Sequence, residues 1–327
     1  MAFGFDELTP YICMEAAEAA LGEELDGSIS PYQSYVNRVY GFRSVEGREL
    51  VCKFYRPGRW SRRAILEEHQ FLADCADADV PVVPPLANQA GRTLSRLSFD
   101  VEEGGEVSMY FAVFPKMGGR SFDPETEEAW LRLGALIGRC HLVGKLREAE
   151  HRPRFLPQAL TAGYVQELLD AKLVHPDVSG DFQSICEETI ERTAPLFAEV
   201  ELQRTHGDCH RGNFLDRLDQ GLLLIDFDDM MMAPAVQDIW LMLPGHLEDS
   251  YREVNLLLEG YEQFTPFPRR TLSLIEPLRF MRMIYFLTWR ARQRHDKWFK
   301  AEFPDWGSKS FWVKEIEDLS LQAQRIG

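Results

Sequence analysis

The chain has 327 residues, enough for two domains or one two-lobed enzyme. Its apolar fraction of 45% argues against disorder, and its formal net charge of −16 argues against nonspecific nucleic-acid binding, which needs clustered cations. The cysteines, Cys13, Cys52, Cys75, Cys140, Cys186 and Cys209, are scattered and form no CxxC pair, so they read as reduced thiols rather than a disulfide frame or a zinc site. The amino terminus lacks the basic segment and apolar core of a secretory signal. No apolar run approaches the roughly 20 residues of a membrane span. A cytoplasmic monomer that engages neither membrane nor nucleic acid is expected.

Along the chain, Thr9-Pro10 opens a first helix over 11–21, with Gly22 near its end. A β-rich region follows, with strand-like segments at 35–42 and 49–55 joined by a turn at 44–48. Ser61 is placed to cap a helix running to about Cys75. A Pro-rich connector over 80–85 leads to a hairpin whose turn is Glu102-Glu103-Gly104-Gly105 and whose second strand is 108–114. Pro115-Lys116-Met117-Gly118-Gly119 breaks the pattern, and the lobe boundary is placed there: 1–116 as a β-rich nucleotide-binding lobe, 117–327 as a mostly helical catalytic and substrate lobe. Helices are expected near 124–146, 160–173 and 181–197, and from Ala235 onward.

The chemistry concentrates in His206-Gly207-Asp208-Cys209-His210-Arg211-Gly212-Asn213 and in Leu222-Leu223-Leu224-Ile225-Asp226-Phe227-Asp228-Asp229. Phosphoryl transfer from ATP needs one carboxylate to orient the acceptor hydroxyl and take its proton. It also needs an amide oxygen and a second carboxylate for the magnesium that neutralises the phosphates. Asp208 suits the first role, and Asn213 and Asp226 the second. Their order and spacing match the catalytic loop and metal-binding Asp of protein kinases. The HGDxHxxN form resembles the branch that holds aminoglycoside, choline and homoserine kinases. The plan of five strands with one helix, a Gly-containing hinge and a helical lobe is α+β, two-lobed and protein-kinase-like, of aminoglycoside-phosphotransferase type.

Other parts of a nucleotide site can be placed. Lys53, mid-strand, is the candidate phosphate cation, with Glu68 as its helix partner and Glu67 close behind. Ser34 lies in the loop that would cover the phosphates, although that loop lacks GxGxxG. Phe114 and Met117 flank the hinge that would hold adenine. Asp238 either fixes the catalytic loop through backbone amides or is a plain helix-start carboxylate. His141 reads as a packed core residue. Residues 269–300 hold nine Lys or Arg against two acids, a net +7 that leaves −23 on the rest. Those cations either bridge to the acidic body of the chain or suit an acidic partner.

Several segments together resemble the bacterial stress response kinase A family over nearly the full length: 34–40, 51–57, Glu67-Glu68-His69-Gln70-Phe71, 111–115, the 206–213 loop, Pro234-Ala235-Val236-Gln237-Asp238 and 275–279. The resemblance implies a cytoplasmic Ser/Thr protein kinase that uses ATP and Mg²⁺ in stress survival, with a protein acceptor and autophosphorylation. It implies Asp208 as base, Asn213 and Asp226 as magnesium ligands and Ser34 as an ATP contact. Two alternatives stay open. One is a small-molecule hydroxyl kinase of choline, homoserine or aminoglycoside type, kept alive by the short stretch from Asp228 to Pro234. The other is a nucleotide-binding pseudokinase scaffold, which the intact Asp208, Asn213 and Asp226 set argues against.

Overall fold

The computed structural model describes residues 8–32, 34, 36–100, 106–295 and 299–326. In chain order the regular elements begin with α1 (Pro10–Leu21), β1 (Leu25–Tyr32), β2 (Arg38–Ser44), β3 (Glu49–Phe54), α2 (Arg62–Asp77), β4 (Ser95–Asp100), β5 (Glu106–Pro115) and β6 (Arg120–Ser121). Then come α3 (Glu127–Gly144), α4 (Ala162–Asp170), α5 (Ser179–Thr193), β7 (Gln203–Thr205), β8 (Phe214–Asp216), β9 (Leu222–Leu224) and β10 (Met231–Ala233). The chain closes with α6 (Gln237–Trp240), α7 (Tyr251–Tyr261), α8 (Ile275–Gln293), α9 (Phe299–Glu302) and α10 (Lys309–Gln324).

Local chemistry sets most of the boundaries. The Thr9 hydroxyl accepts from the Ile12 amide at 3.3 Å and Ser61 accepts from Ala64 at 3.1 Å, so α1 and α2 start where their caps stand. Gly22, at φ +70°, ends α1 in a left-handed turn. The strand expected from residue 35 begins only at Arg38. Before it, the Asn37 amide donates to Ser34 Oγ at 3.2 Å and Asn37 Oδ1 accepts from the Arg56 amide at 3.2 Å, a local turn that competes with pairing. The expected helix over 181–197 ends as an α-helix at Thr193 and continues as a 3-10 turn, Ala194–Phe197, because Pro195 offers no amide. The turn expected at 102–105 lies outside the described residues.

Contacts divide the chain into two compact units. The first holds Met1–Asp123, Ala149–Arg152 and Arg211–Met230; the second holds Pro124–Glu148, Pro153–His210 and Met231–Gly327. The sequence reading cuts the chain once, at 116/117. The fold cuts it several times, and the hairpin that carries Asn213 and Asp226 belongs to the β-rich unit.

The first unit is built on an antiparallel sheet of order β1-β2-β3-β5-β4. Alternation gives it two faces. Leu50, Cys52, Phe54, Met109, Phe111 and Val113 pack on one face with Cys13, Ala16 and Ala17 of α1. Tyr55, Ala112 and Phe114 lie on the other, with Ile65 of α2 and Leu94. The second unit buries Leu168, Phe182, Cys186, Phe280, Ile284, Leu287, Trp312 and Leu319 in one cluster of α4, α5, α8 and α10. Helices α3 and α7 approach so closely that a Cβ on Gly134 would stand 1.8 Å from the Leu257 carbonyl oxygen, and one on Gly260 would stand 2.0 Å from that of Leu131. Among the described residues no helix is long and apolar enough to cross a membrane.

Candidate active site

In the first unit the β8–β9 hairpin pairs Phe214 with Leu224. One step further, the Ile225 amide donates to the Asn213 carbonyl at 3.0 Å, so Asn213 stands opposite Ile225 and Asp226 follows at the same end of the hairpin. Asp226 has φ +63° and ψ +68°, a left-handed conformation that only a few residue types tolerate and that clusters at functional positions. The next residues, Phe227–Asp229, form a single 3-10 turn. The Asp226 side chain is 54% exposed and therefore accessible to a cation, whereas the Asp228 side chain is 6% exposed. An amide oxygen and a carboxylate are hard oxygen donors, the kind magnesium takes in small number alongside phosphate and water.

Lys53 lies at the centre of a buried charge network. Its Nζ is 3.2 Å from Asp226 Oδ1, 3.2 Å from Asp228 Oδ1 and 3.6 Å from Glu68 Oε1. The strand register decides this: Cys52 and Phe54 take the α1 face, so Lys53 and Tyr55 take the α2 face. Burial works to lower the Lys53 ammonium; Asp228, Glu68 and Asp226 outweigh it and hold it well above the usual lysine range. Burial likewise pushes Glu68 up, against the pull of Lys53 and then Arg152. For Asp228 burial is again the largest influence, but Arg59, Lys53 and Arg152 together hold its carboxyl well below the usual range. Arg59 Nη1 is 2.9 Å from Asp228 Oδ2, and its Nη2 donates to Asp229 Oδ1 at 2.7 Å. Glu67 points elsewhere: its carboxylate accepts from the Glu150 and His151 amides.

The other nucleotide-site candidates also lie in the first unit. Ser34 Oγ accepts from Asn37 and so shapes its own turn. Phe114 is half-buried on the α2 face, with its ring edge-on to His69 at 6.4 Å, and Met117 is half-buried just beyond β5. Backbone groups of the hinge that these two residues flank are the natural partners for adenine, and Pro115 has only a carbonyl to offer. The Lys116 amide is already spent, donating to the Glu49 carbonyl at 2.9 Å.

The second unit holds the candidate base. Strands β7 and β10 pair Thr205 with Met231 and launch the loop 206–210. Gly207, at φ +85°, makes a turn that other residues resist. Asp238 clamps this loop: its Oδ2 accepts from the His206 amide at 2.7 Å and its Oδ1 from the Gly207 amide at 2.8 Å. The Gln237 side-chain amide donates to the Gly207 carbonyl at 3.1 Å. Asp238 is in turn held by His141, whose Nε2 is 2.8 Å from Oδ2 and whose Nδ1 is 3.0 Å from the Tyr261 hydroxyl. His141 is thus a buried core residue that supports the loop's anchor. Asp208 itself meets two basic groups: Arg282 Nη2 donates to Oδ1 at 2.6 Å, and His210 Nε2 is 3.5 Å from Oδ2. Burial alone would raise the Asp208 carboxyl; His210 and Arg282 overcome this and hold it well below the usual carboxylate range.

The basic segment turns largely onto the chain's own acids and carbonyls. Arg269 forks onto Glu262, Arg292 onto Glu167, and Arg290 reaches Glu315 at 3.6 Å. Arg270 donates to the Glu199 carbonyl, and Arg279 donates to that of Gly245 and stacks over Trp240. Lys297 lies outside the described residues. The sequence reading missed three groups, Asp228 beside Lys53, Arg59 on Asp228 and Arg152 beside Glu68, and it held Arg282 only as one cation of the basic 269–300 segment, without its contact to Asp208. Asp228 carried a signal, as a second acid two residues after Asp226. Arg59 and Arg152 carried none, since each meets its partner across a long stretch of chain; Arg282 carried only its membership of the basic segment.

Residues 28–274 match the phosphotransferase enzyme family (APH). Stress response kinase A of Escherichia coli K12 is 35% identical over 331 residues, covering 99% of this chain and 95% of that protein. The serine/threonine protein kinase RdoA of Salmonella typhimurium is 33% identical over 324 residues, with coverage of 99% and 95%. Among solved structures, amicoumacin kinase hAmiN, in complex with AMP-PNP, Ca²⁺ and Ami, superposes with a TM-score of 0.76 at 16% identity, over 98% of this chain and 95% of that one. The microcompartment-associated aminopropanol kinase gives a TM-score of 0.71 at 17% identity, over 97% and 99%. The catalytic-loop pattern, the kinase-like α+β fold and these matches agree: the chain belongs to the phosphotransferase enzyme family and, within it, to the stress response kinase A group.

Proposed function

We propose that this chain is an ATP- and Mg²⁺-dependent serine/threonine protein kinase that acts in the bacterial cytoplasm under stress. The observation that carries the nucleotide part is Lys53, buried and ringed by Asp226, Asp228 and Glu68. An ammonium held this way stays charged and fixed in place, as phosphate binding requires. Asn213 and Asp226 would hold the magnesium, which supplies charge neutralisation at the transferring phosphoryl group. Lys53 would hold phosphate oxygens, with Glu68 fixing its direction. Ser34 would cover the phosphates, and Phe114 and Met117 would pack beside adenine. Asp208 would accept the hydrogen bond of the acceptor hydroxyl and take its proton as the γ-phosphoryl group passes to that oxygen, the bond from γ-phosphorus to the bridging oxygen breaks and ADP leaves. A carboxyl held low by Arg282 and His210 stays ionised and acts first by orienting the hydroxyl.

The protein acceptor is supported by the 33–35% identity to the stress response kinases and the RdoA kinase. A guanidinium bonded to Asp208 also disfavours a polycationic acceptor, because like charges in a substrate site cost affinity. The short turn after Asp226 supports a second reading, a small-molecule hydroxyl kinase, since it leaves no room for a phosphorylated activation segment. Incubation with γ-labelled ATP, Mg²⁺ and a general protein substrate separates the two. Phosphoserine or phosphothreonine on that substrate or on the kinase itself is the expected result. Label entering only an aminoglycoside, choline or homoserine would overturn the protein-kinase reading and leave the roles of Asp208, Asn213 and Asp226 standing.

A further inference from the structure

Residues 149–152 pack with the β-rich unit, although the chain on both sides of them belongs to the helical one. This short segment grips α2 twice. On the solvent side, the Glu67 carboxylate accepts from the Glu150 amide at 2.9 Å and from the His151 amide at 2.9 and 3.1 Å, and it lies 2.9 Å from His151 Nδ1. On the buried side, Arg152 donates Nη2 to Glu68 Oε2 at 2.8 Å and Nε to the Ala64 carbonyl at 2.8 Å. Its Nη1 donates to the Asp228 carbonyl at 2.6 Å, and its guanidinium stands 4.5 Å from the Trp60 ring centroid. The side chain is 0% exposed. One guanidinium therefore ties two successive turns of α2 to the turn that follows Asp226.

Glu68 is divided between two cations. Its Oε2 is taken by Arg152, while its Oε1 faces Lys53 at 3.6 Å and the Tyr55 hydroxyl at 3.3 Å. Lys53 has two nearer carboxylates, Asp226 and Asp228, each at 3.2 Å. Lys53 by itself does not determine where Glu68 stands, because it is already satisfied by the others. The shorter, fork-directed bond from Arg152 does.

We propose that Arg152 is a positioning residue for the nucleotide site: it clamps α2 to the turn after Asp226 and so keeps Glu68 on Lys53 without an activation segment. This rests on the proposed roles of Lys53, Glu68 and Asp226. In kinases with a mobile regulatory helix, the corresponding Lys–Glu pair forms only when that helix swings in. Here the Arg152 contacts that would hold the pair are buried within the fold itself. A lysine cannot replace Arg152, because one ammonium cannot meet three acceptors spread in the plane of a guanidinium.

The test uses the full chain and two readouts. Calorimetric binding of Mg·AMP-PNP should weaken about 10- to 100-fold in Arg152→Ala, the range seen when a group that orients a ligating side chain is removed. Added guanidinium ion should recover part of that loss. Hydrogen exchange without nucleotide should show the amides of α2 opening at least about tenfold faster, with those of β2, β3 and β5 unchanged. If Arg152→Ala does not fold, Arg152→Lys, which keeps the buried charge, should show the same two effects. A folded variant with wild-type affinity and wild-type α2 protection overturns the proposal, as does a loss of affinity that guanidinium leaves untouched. Wild-type protein that fails to bind Mg·AMP-PNP removes the kinase reading instead; the exchange of α2 then decides the clamp by itself.

Discussion

Replacing Asp238 with alanine tests whether the candidate catalytic loop has one principal anchor. The carboxylate is buried and receives bonds from the His206 amide at 2.7 Å, the Gly207 amide at 2.8 Å and His141 Nε2 at 2.8 Å, with the Cys209 side chain also bonded to it. Hydrogen bonds to a charged group contribute about 1.5–3 kcal/mol each, and each buried amide left without a partner costs about 1–3 kcal/mol. Removing one member of such a buried set typically costs about 3–5 kcal/mol, against a total stability of about 5–15 kcal/mol. Asp238→Ala should therefore fold but melt early in urea, with a strongly reduced kcat, because Asp208 sits at the end of the loop released. Asp238→Asn should fall between: one oxygen still accepts an amide, while the new NH₂ group faces another donor. The acid side gives an independent check. Burial would raise the Asp238 carboxyl, but the bonds from His141 and from the Gly207 amide hold it below its usual value. Its unfolded value is about 3.9, so its contribution is complete above that pH and is lost as pH falls through the lower folded value. Asp238→Ala should flatten this limb of the stability curve. An Asp238→Ala protein that loses less than about 1 kcal/mol in urea titrations and keeps wild-type kcat would refute the anchor.

Asp226→Ala should abolish the Mg²⁺-dependent stabilisation by ATP in a thermal-shift assay, and equal stabilisation in mutant and wild type would remove it as a metal ligand. Asp208→Ala should lower kcat about 10²–10⁴-fold while ATP affinity stays unchanged; turnover within a few-fold of wild type would place the base elsewhere. Arg282→Gln removes one of the groups that hold the Asp208 carboxyl down, so the acid limb of the kcat–pH profile should move to higher pH. A superimposable profile would mean that the Arg282 contact has no bearing on the state of Asp208.

The candidate site positions are legible along the chain because their spacing is short and local. Asp208 and Asn213 share one loop, and a hairpin returns the chain to Asp226 after a fixed number of residues. Helix caps were legible for the same reason: Thr9 and Ser61 act within three residues of themselves. The edge strand β1 was not, since Asp26, Gly27, Ser30 and Pro31 carry no apolar alternation, and an edge strand needs none. Other choices could be made only in three dimensions. Glu67 and Glu68 are adjacent on one helix and chemically alike, yet about 100° of helical turn sends one to the 149–152 segment and the other to Lys53. Lys53 could have faced either side of its strand until Cys52 and Phe54 took the α1 face. Asp238 had two equally good readings until the amides of His206 and Gly207 were found pointing at it. Arg152 looks like any surface arginine in the sequence, and Arg282 is one of nine cations in the basic 269–300 segment with nothing to set it apart from the others. The fold brings one to Glu68 and the other to Asp208 across 84 and 74 residues of chain, and charges brought together over such separations leave no periodic or local trace in the chain.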